Sequence, residues 1–230
     1  MQNDDVVQAI RRGDVSALEQ FLAANPAAVT ARVDGRRTLL HVATDWPGHF
    51  PNVWRTIQVL VAHGAALNAA FHGDHSETPL HWAASSDDVV ALDALLDLGA
   101  DIESPGSVIG GGTPLSDAVA FGQWQAARRL VARGACPAIW QAAALGMMDR
   151  LQPYFTADAK PSAEEVTNAF WNACRGGQLE TARYLLARGA ALNWVGHGGL
   201  TPLDVAARNG SDELMEWLRE QGARSSNSIA

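Results

Sequence analysis

Apolar residues along this chain come in paired blocks at helical spacing, and each pair closes on glycine. The stretch Thr78-Pro79-Leu80-His81-Trp82-Ala83-Ala84 leads into a second apolar run that ends at Leu98-Gly99-Ala100. Close copies begin at Thr38-Leu39-Leu40-His41-Val42-Ala43, Thr113-Pro114-Leu115-Ser116-Asp117-Ala118 and Thr201-Pro202-Leu203-Asp204-Val205-Ala206-Ala207. Blocks of this length and period predict short amphipathic helices in pairs rather than strands. In each copy Thr can cap the first helix through its hydroxyl, and in the copies at 78, 113 and 201 Pro fits the first helical position, where a missing N–H costs nothing. The alanines let helices approach closely, and the closing Gly takes the left-handed turn that starts the next connection.

The T-P-L-H-x-A signature carried by these copies resembles the ankyrin repeat, a turn plus two antiparallel helices in about 33 residues. The resemblance implies an all-α fold, an ankyrin-repeat solenoid of about seven helix-turn-helix units joined by short β-hairpin fingers. Counting from the Thr position, units start near 4, 38, 78, 113, 137, 168 and 201, giving one solenoid over 1–223 and a flexible Ser-rich tail over 224–230. The first unit lacks Thr-Pro and reads as an amino-terminal cap. The last helix intersperses charges along Leu214-Met215-Glu216-Trp217-Leu218-Arg219-Glu220, which suits an end with no following neighbour.

Successive starts differ by 34, 40, 35, 24, 31 and 33 residues, so the middle of the array departs from the regular period. Irregularities in a repeat array map to loops on one face. The second unit carries a long inter-helix loop, Thr44-Asp45-Trp46-Pro47-Gly48-His49-Phe50-Pro51-Asn52, stiffened by its prolines. The fingers over 68–77 and 103–112 are lengthened, whereas the finger between Gly134 and Pro137 is essentially deleted. The fifth unit is degenerate, and a polar segment over 156–165 replaces its Gly-Ala exit.

A net charge of −8 argues against a nucleic-acid partner, because such proteins concentrate Lys and Arg on one face. No apolar run approaches the roughly 18 residues of a membrane span. Cys136 and Cys174 lie far apart and read as buried thiols, which fits a reducing, cytoplasmic setting; a monomer is expected.

The resemblance also implies that partners are bound by finger tips and the exposed side of the first helices. On this chain that selects Asp45, Trp46, His49, Phe71, His72, Asp74, His75, Trp82, Asp117, Phe121, Asn172, Trp194 and His197. His41 and His81 occupy the signature position and are expected to bond the neighbouring turn. Trp140 and Trp171 hold the same position and are expected to fill space. His72, Asp74 and His75 offer imidazole and carboxylate in a spacing that matches no metal motif, so neither metal nor cofactor is expected. The chain has no G-x-S-x-G elbow, Walker loop, H-E-x-x-H or C-x-x-C. Two readings stand. One is a non-enzymatic scaffold that recognises a protein on its concave face. The other is a small-molecule or enzymatic pocket in repeats two to four, with Asp45, His75 and Asp117 as acid, base or hydrogen-bond groups.

Overall fold

The computed structural model describes residues 2–156, 158 and 160–228, and among these every regular element is helical. The first four helix pairs are α1 (Gln2–Arg12) with α2 (Val15–Ala24), α3 (Leu39–Ala43) with α4 (Val53–Ala62), α5 (Pro79–Ser85) with α6 (Val89–Asp97), and α7 (Pro114–Phe121) with α8 (Trp124–Ala132). Next come α9 (Ile139–Ala144) followed by two single turns, α10 (Met148–Leu151) and α11 (Pro153–Thr156). The remaining pairs are α12 (Ala163–Arg175) with α13 (Leu179–Leu186) and α14 (Pro202–Arg208) with α15 (Asp212–Glu220).

The chain divides into two compact units, one ending at Cys136 and the other beginning at Pro137. In the first, α5 packs on α7 and α4 on α6, so first helices stack on first helices and second on second. Its core is a column of fully buried aliphatics, among them Ile10, Leu22, Leu40, Leu60, Leu80, Leu95, Leu115 and Leu130. In the second unit α12 packs on both α9 and α14 around Phe170, Leu151, Leu185 and Leu218.

Local chemistry explains the repetition. Thr38, Thr78, Thr113 and Thr201 all sit in extended backbone as helix caps, each in a reciprocal box with the residue three positions on. In His41 the Nδ1 atom faces the Thr38 hydroxyl at 2.8 Å while Nε2 lies 3.0 Å from the Glu77 carbonyl. His81 repeats the arrangement toward the Gly112 carbonyl at 3.3 Å, and Trp171 donates its indole N–H to the Leu200 carbonyl at 2.9 Å. Each ring therefore ties one repeat to the residue before the next cap, and Trp171 does so with a hydrogen bond as well as bulk.

Several expectations change in detail. The fingers contain no strand among the described residues, and the one isolated bridge joins Val33 to Arg37. They are hairpin-shaped turns, closed by single bonds such as Phe71 N–H to Glu77 O at 2.7 Å and Ser107 N–H to Gly112 O at 3.0 Å. The sixth unit starts earlier than the spacing implies: Ser162 caps α12 and Glu165 returns the bond, adding a turn inside the polar 156–165 segment. Positions 157 and 159 of that segment lie outside the described residues. Before Pro137 the finger is indeed missing, and six residues separate α8 from α9. In the carboxy-terminal stretch read as a flexible tail, Arg224 N–H bonds Asn193 at 2.7 Å and Ser226 N–H bonds Asp204 at 2.9 Å, while 229 and 230 lie outside the described residues. Cys174 is buried, and burial pushes its thiol up; Cys136 is exposed, because it lies on the connection after α8.

Candidate functional site

The long loop of the second repeat is braced on three sides. Asn52 donates its side-chain amide to the Gly13 carbonyl at 3.0 Å, reaching back to the first repeat. Arg37 bonds Asp45 at 2.8 Å within the repeat, and Arg11 lies 3.4 Å from the same carboxylate oxygen. Forward, the His49 N–H bonds the buried Asp88 carboxylate at 2.6 Å, and His49 Nε2 lies 3.1 Å from the Ser86 carbonyl. Gly48 has φ +74°, and a Cβ there would meet Ser86 Cβ at 2.9 Å, so glycine permits the loop to lie against the next repeat. This bracing presents Trp46 to solvent with 79% of its surface exposed. Trp46 belongs to the first unit's own loop system and contributes little to the core, which is unusual for so large an apolar ring.

The finger leading to α5 is organised by stacked rings. Phe71 lies against His75 with centroids 4.5 Å apart, and Trp82 meets Phe71 at 5.5 Å and His41 at 4.9 Å. This cluster surrounds Glu77, which is only 6% exposed. Its Oε2 accepts the Trp82 indole N–H at 3.0 Å, and its Oε1 accepts the Val108 backbone N–H of the following finger at 3.1 Å. His75 Nδ1 is 3.2 Å from Oε2 but out of hydrogen-bond alignment. The two fingers also touch directly, since Ser76 N–H bonds the Gly106 carbonyl at 3.3 Å.

Beside Glu77 lies Asp117, fully buried on α7. One of its oxygens accepts the Ser107 hydroxyl; the other, Oδ2, has no aligned partner. Burial raises the Asp117 pKa most, the Ser107 bond opposes that, and the nearby Glu77 charge raises it further, to about 8. The two carboxyl groups thus share one site and titrate together, with Asp117 pushed toward its protonated form. Burial holds His41 neutral by lowering its pKa to about 4, and His81 shifts the same way.

Above Glu77 is a hollow of about 280 Å³ lined by Asp45, Trp46, Glu77, Trp82, Ser85, Ser86, Val108 and Phe121. A neighbouring hollow of about 420 Å³ is lined by Asp74, His75, Ser76, Gly106, Ser107, Val108, Gly110 and Gly111. The structure therefore brings Asp45, Trp46, Trp82 and Phe121 together from three successive repeats. Asp117 lies beneath them without lining the hollow, and His49 acts as a brace. Asp74 and His75 line the second hollow, Phe71 is half-buried in the ring stack, and His72 is exposed on the finger. Among the described residues no three His, Cys, Asp or Glu side chains converge to hold a metal ion, so His72, Asp74 and His75 do not form such a group.

Asn172, Trp194 and His197 fall in the second unit. Asn172 is buried and bonds Asn168 within α12, whereas His197 meets Trp171 at 5.3 Å and Trp194 at 6.0 Å. The sequence reading did not single out Glu77. Its one signal is position: it directly precedes the Thr78 cap, where the finger returns to the helix.

The fold has relatives of known structure. A crystal structure of the human ASB11 ankyrin repeat domain matches at 20% identity and a TM-score of 0.56, covering 93% of this chain and 96% of that one. No helix among the described residues is long and apolar enough to cross a membrane. The family model described as ankyrin repeats matches residues 6–106 and 138–228, and with the capping boxes and ring-to-carbonyl ties above it shows that the chain belongs to the ankyrin-repeat family.

Proposed function

We propose that this protein is a non-enzymatic scaffold that binds another protein on the concave face of repeats two to four. One observation carries the reading: Trp46, 79% exposed, stands on a loop anchored to three repeats. Exposed tryptophans on rigid supports are typical anchors of protein interfaces, since they bury large area at low entropic cost. Phe121 and Trp82 extend the same patch, and ankyrin repeats are generally interaction modules. The hollow they line has a volume of about 280 Å³. It has room for one side chain of a larger partner. The buried thiol of Cys174 suits a reducing, cytoplasmic setting.

Site-specific photocrosslinking tests this. A photoreactive phenylalanine analogue at position 46 should yield a discrete protein adduct in cells, and the same analogue at position 54, on α4, should not. Equal adducts at both positions, or none at 46, overturn the reading.

A further inference from the structure

We propose that the hollow over Glu77 is a receptor for a single cationic side chain, lysine or arginine, of the bound partner. This rests on the scaffold reading and adds the chemistry of its central contact. The floor of the hollow is a carboxylate and its walls are Trp46, Trp82 and Phe121. Aromatic rings beside a carboxylate favour a cation over both a neutral and an anionic group, because ring quadrupole and charge act in the same direction.

The charges around the hollow point the same way. Asp45 on its wall is neutralised by Arg37 at 2.8 Å, with Arg11 at 3.4 Å. The ion-pair neighbour that the structure gives Glu77 is His75, at 3.2 Å and unaligned. The Trp82 and Val108 bonds and the proton shared with Asp117 leave Glu77, a carboxylate with about four acceptor positions, room for one further donor. Those two bonds also fix the carboxylate against the indole edge, so an incoming ammonium or guanidinium meets both without rearrangement.

Asp117 adds an independent observation. It is a fully buried carboxyl that lies against the acid flooring the hollow and shares a proton with it, so the two acids together hold negative charge away from water. The pair carries negative charge that no arginine or lysine in the contacts above offsets. A cation docked on Glu77 supplies that offset, which gives the burial of two acids in adjacent repeats a purpose beyond packing.

Nitrogen-15 NMR of the tryptophan indoles provides the test, using N-acetyl-arginine amide and N-acetyl-lysine amide as probes. Either probe is expected to shift the Trp82 and Trp46 indole signals in a saturable way, and the pair identifies which cation is preferred. N-acetyl-citrulline amide, nearly isosteric with the arginine probe but uncharged, should bind roughly tenfold more weakly or not at all. Glu77→Gln should abolish the arginine and lysine shifts while the Trp171 signal stays in place. Phe121→Ala, on the exposed rim, should weaken them in a chain whose buried network is untouched. Equal shifts from the citrulline probe, no shift from any probe, or shifts confined to other indoles overturn the proposal. No arginine or lysine shift in the unaltered chain with the position-46 crosslink present would leave the scaffold standing without the cation site. Probe binding without any protein crosslink would retain the site and remove the scaffold.

Discussion

Asp117 and His41 are buried ionisable side chains whose protonation pulls stability in opposite directions. The folded pKa of Asp117 is raised from 3.8 to about 8, so its favourable contribution is fully present below 3.8 and is lost as pH rises toward 8. The folded pKa of His41 is lowered from 6.5 to about 4, so its contribution is present above 6.5 and is lost as pH falls toward 4. Asp117→Asn keeps an acceptor for Ser107 and places an N–H₂ donor near Glu77, as the protonated acid does. We expect its urea midpoint, relative to the parent chain, to rise steadily between pH 5 and 9; a constant difference across that range would refute a shared proton. Leu80→Ala, which empties a fully buried position, should cost about 2–5 kcal/mol at any pH in the same melts. At this scale the sequence was legible wherever a residue held a fixed place in the repeat. His41 and His81 bond as their signature position implies. Glu77 was not legible, because its burial depends on Trp82 and on Val108, whose bond spans 31 residues of sequence.

Loops and fingers are the elements in which this chain departs from a regular array, and their lengths could be read from the spacing of the Thr positions. Their contacts could not, since the braces that hold Trp46 in place, Asn52 to Gly13 and His49 to Asp88, each span 39 residues. Among the described residues the expected hairpin strands are absent, because each finger closes on only one or two bonds of its own and spends others on its neighbours. Val108 N–H goes to Glu77 and Ser76 N–H to Gly106 rather than across a ladder. Two glycines permit these close approaches. Gly106 has φ +129°, and a Cβ there would lie 2.4 Å from the Ser76 carbonyl oxygen, while Gly48 packs its loop on Ser86. Gly106→Ala should therefore part the two fingers, costing about 1–2 kcal/mol from the backbone conformation alone. Limited proteolysis should detect new cleavage between 72 and 76 or 107 and 111 while the helices stay resistant. An unchanged digestion pattern would mean that the fingers hold their shape independently of each other.

For the whole molecule, the irregular period of the repeats carries positional information. The shortest spacing, 24 residues from 113 to 137, marks the missing finger, and the boundary between the two compact units falls at its end. The units themselves were less legible, since the same repeat chemistry runs through both and only the full set of contacts separates them. Each has its own buried column, Leu40, Leu60, Leu80, Leu95 and Leu115 in the first and Leu151, Phe170, Leu185 and Leu218 in the second. Every residue that lines the hollow over Glu77, and every brace of the Trp46 loop, lies before Cys136. Repeat arrays gain stability from nearest-neighbour interfaces, so four complete helix pairs exceed the three or so needed to fold. A chain ending at Cys136 is therefore expected to unfold cooperatively in urea and to bind the arginine or lysine probe within about threefold of the full chain, because its nearest-neighbour contacts around the site are intact. The check is the same indole NMR titration on both lengths. A fragment that folds cooperatively yet leaves the Trp82 signal unmoved by either probe, while the full chain responds, would mean that the second unit takes part in binding.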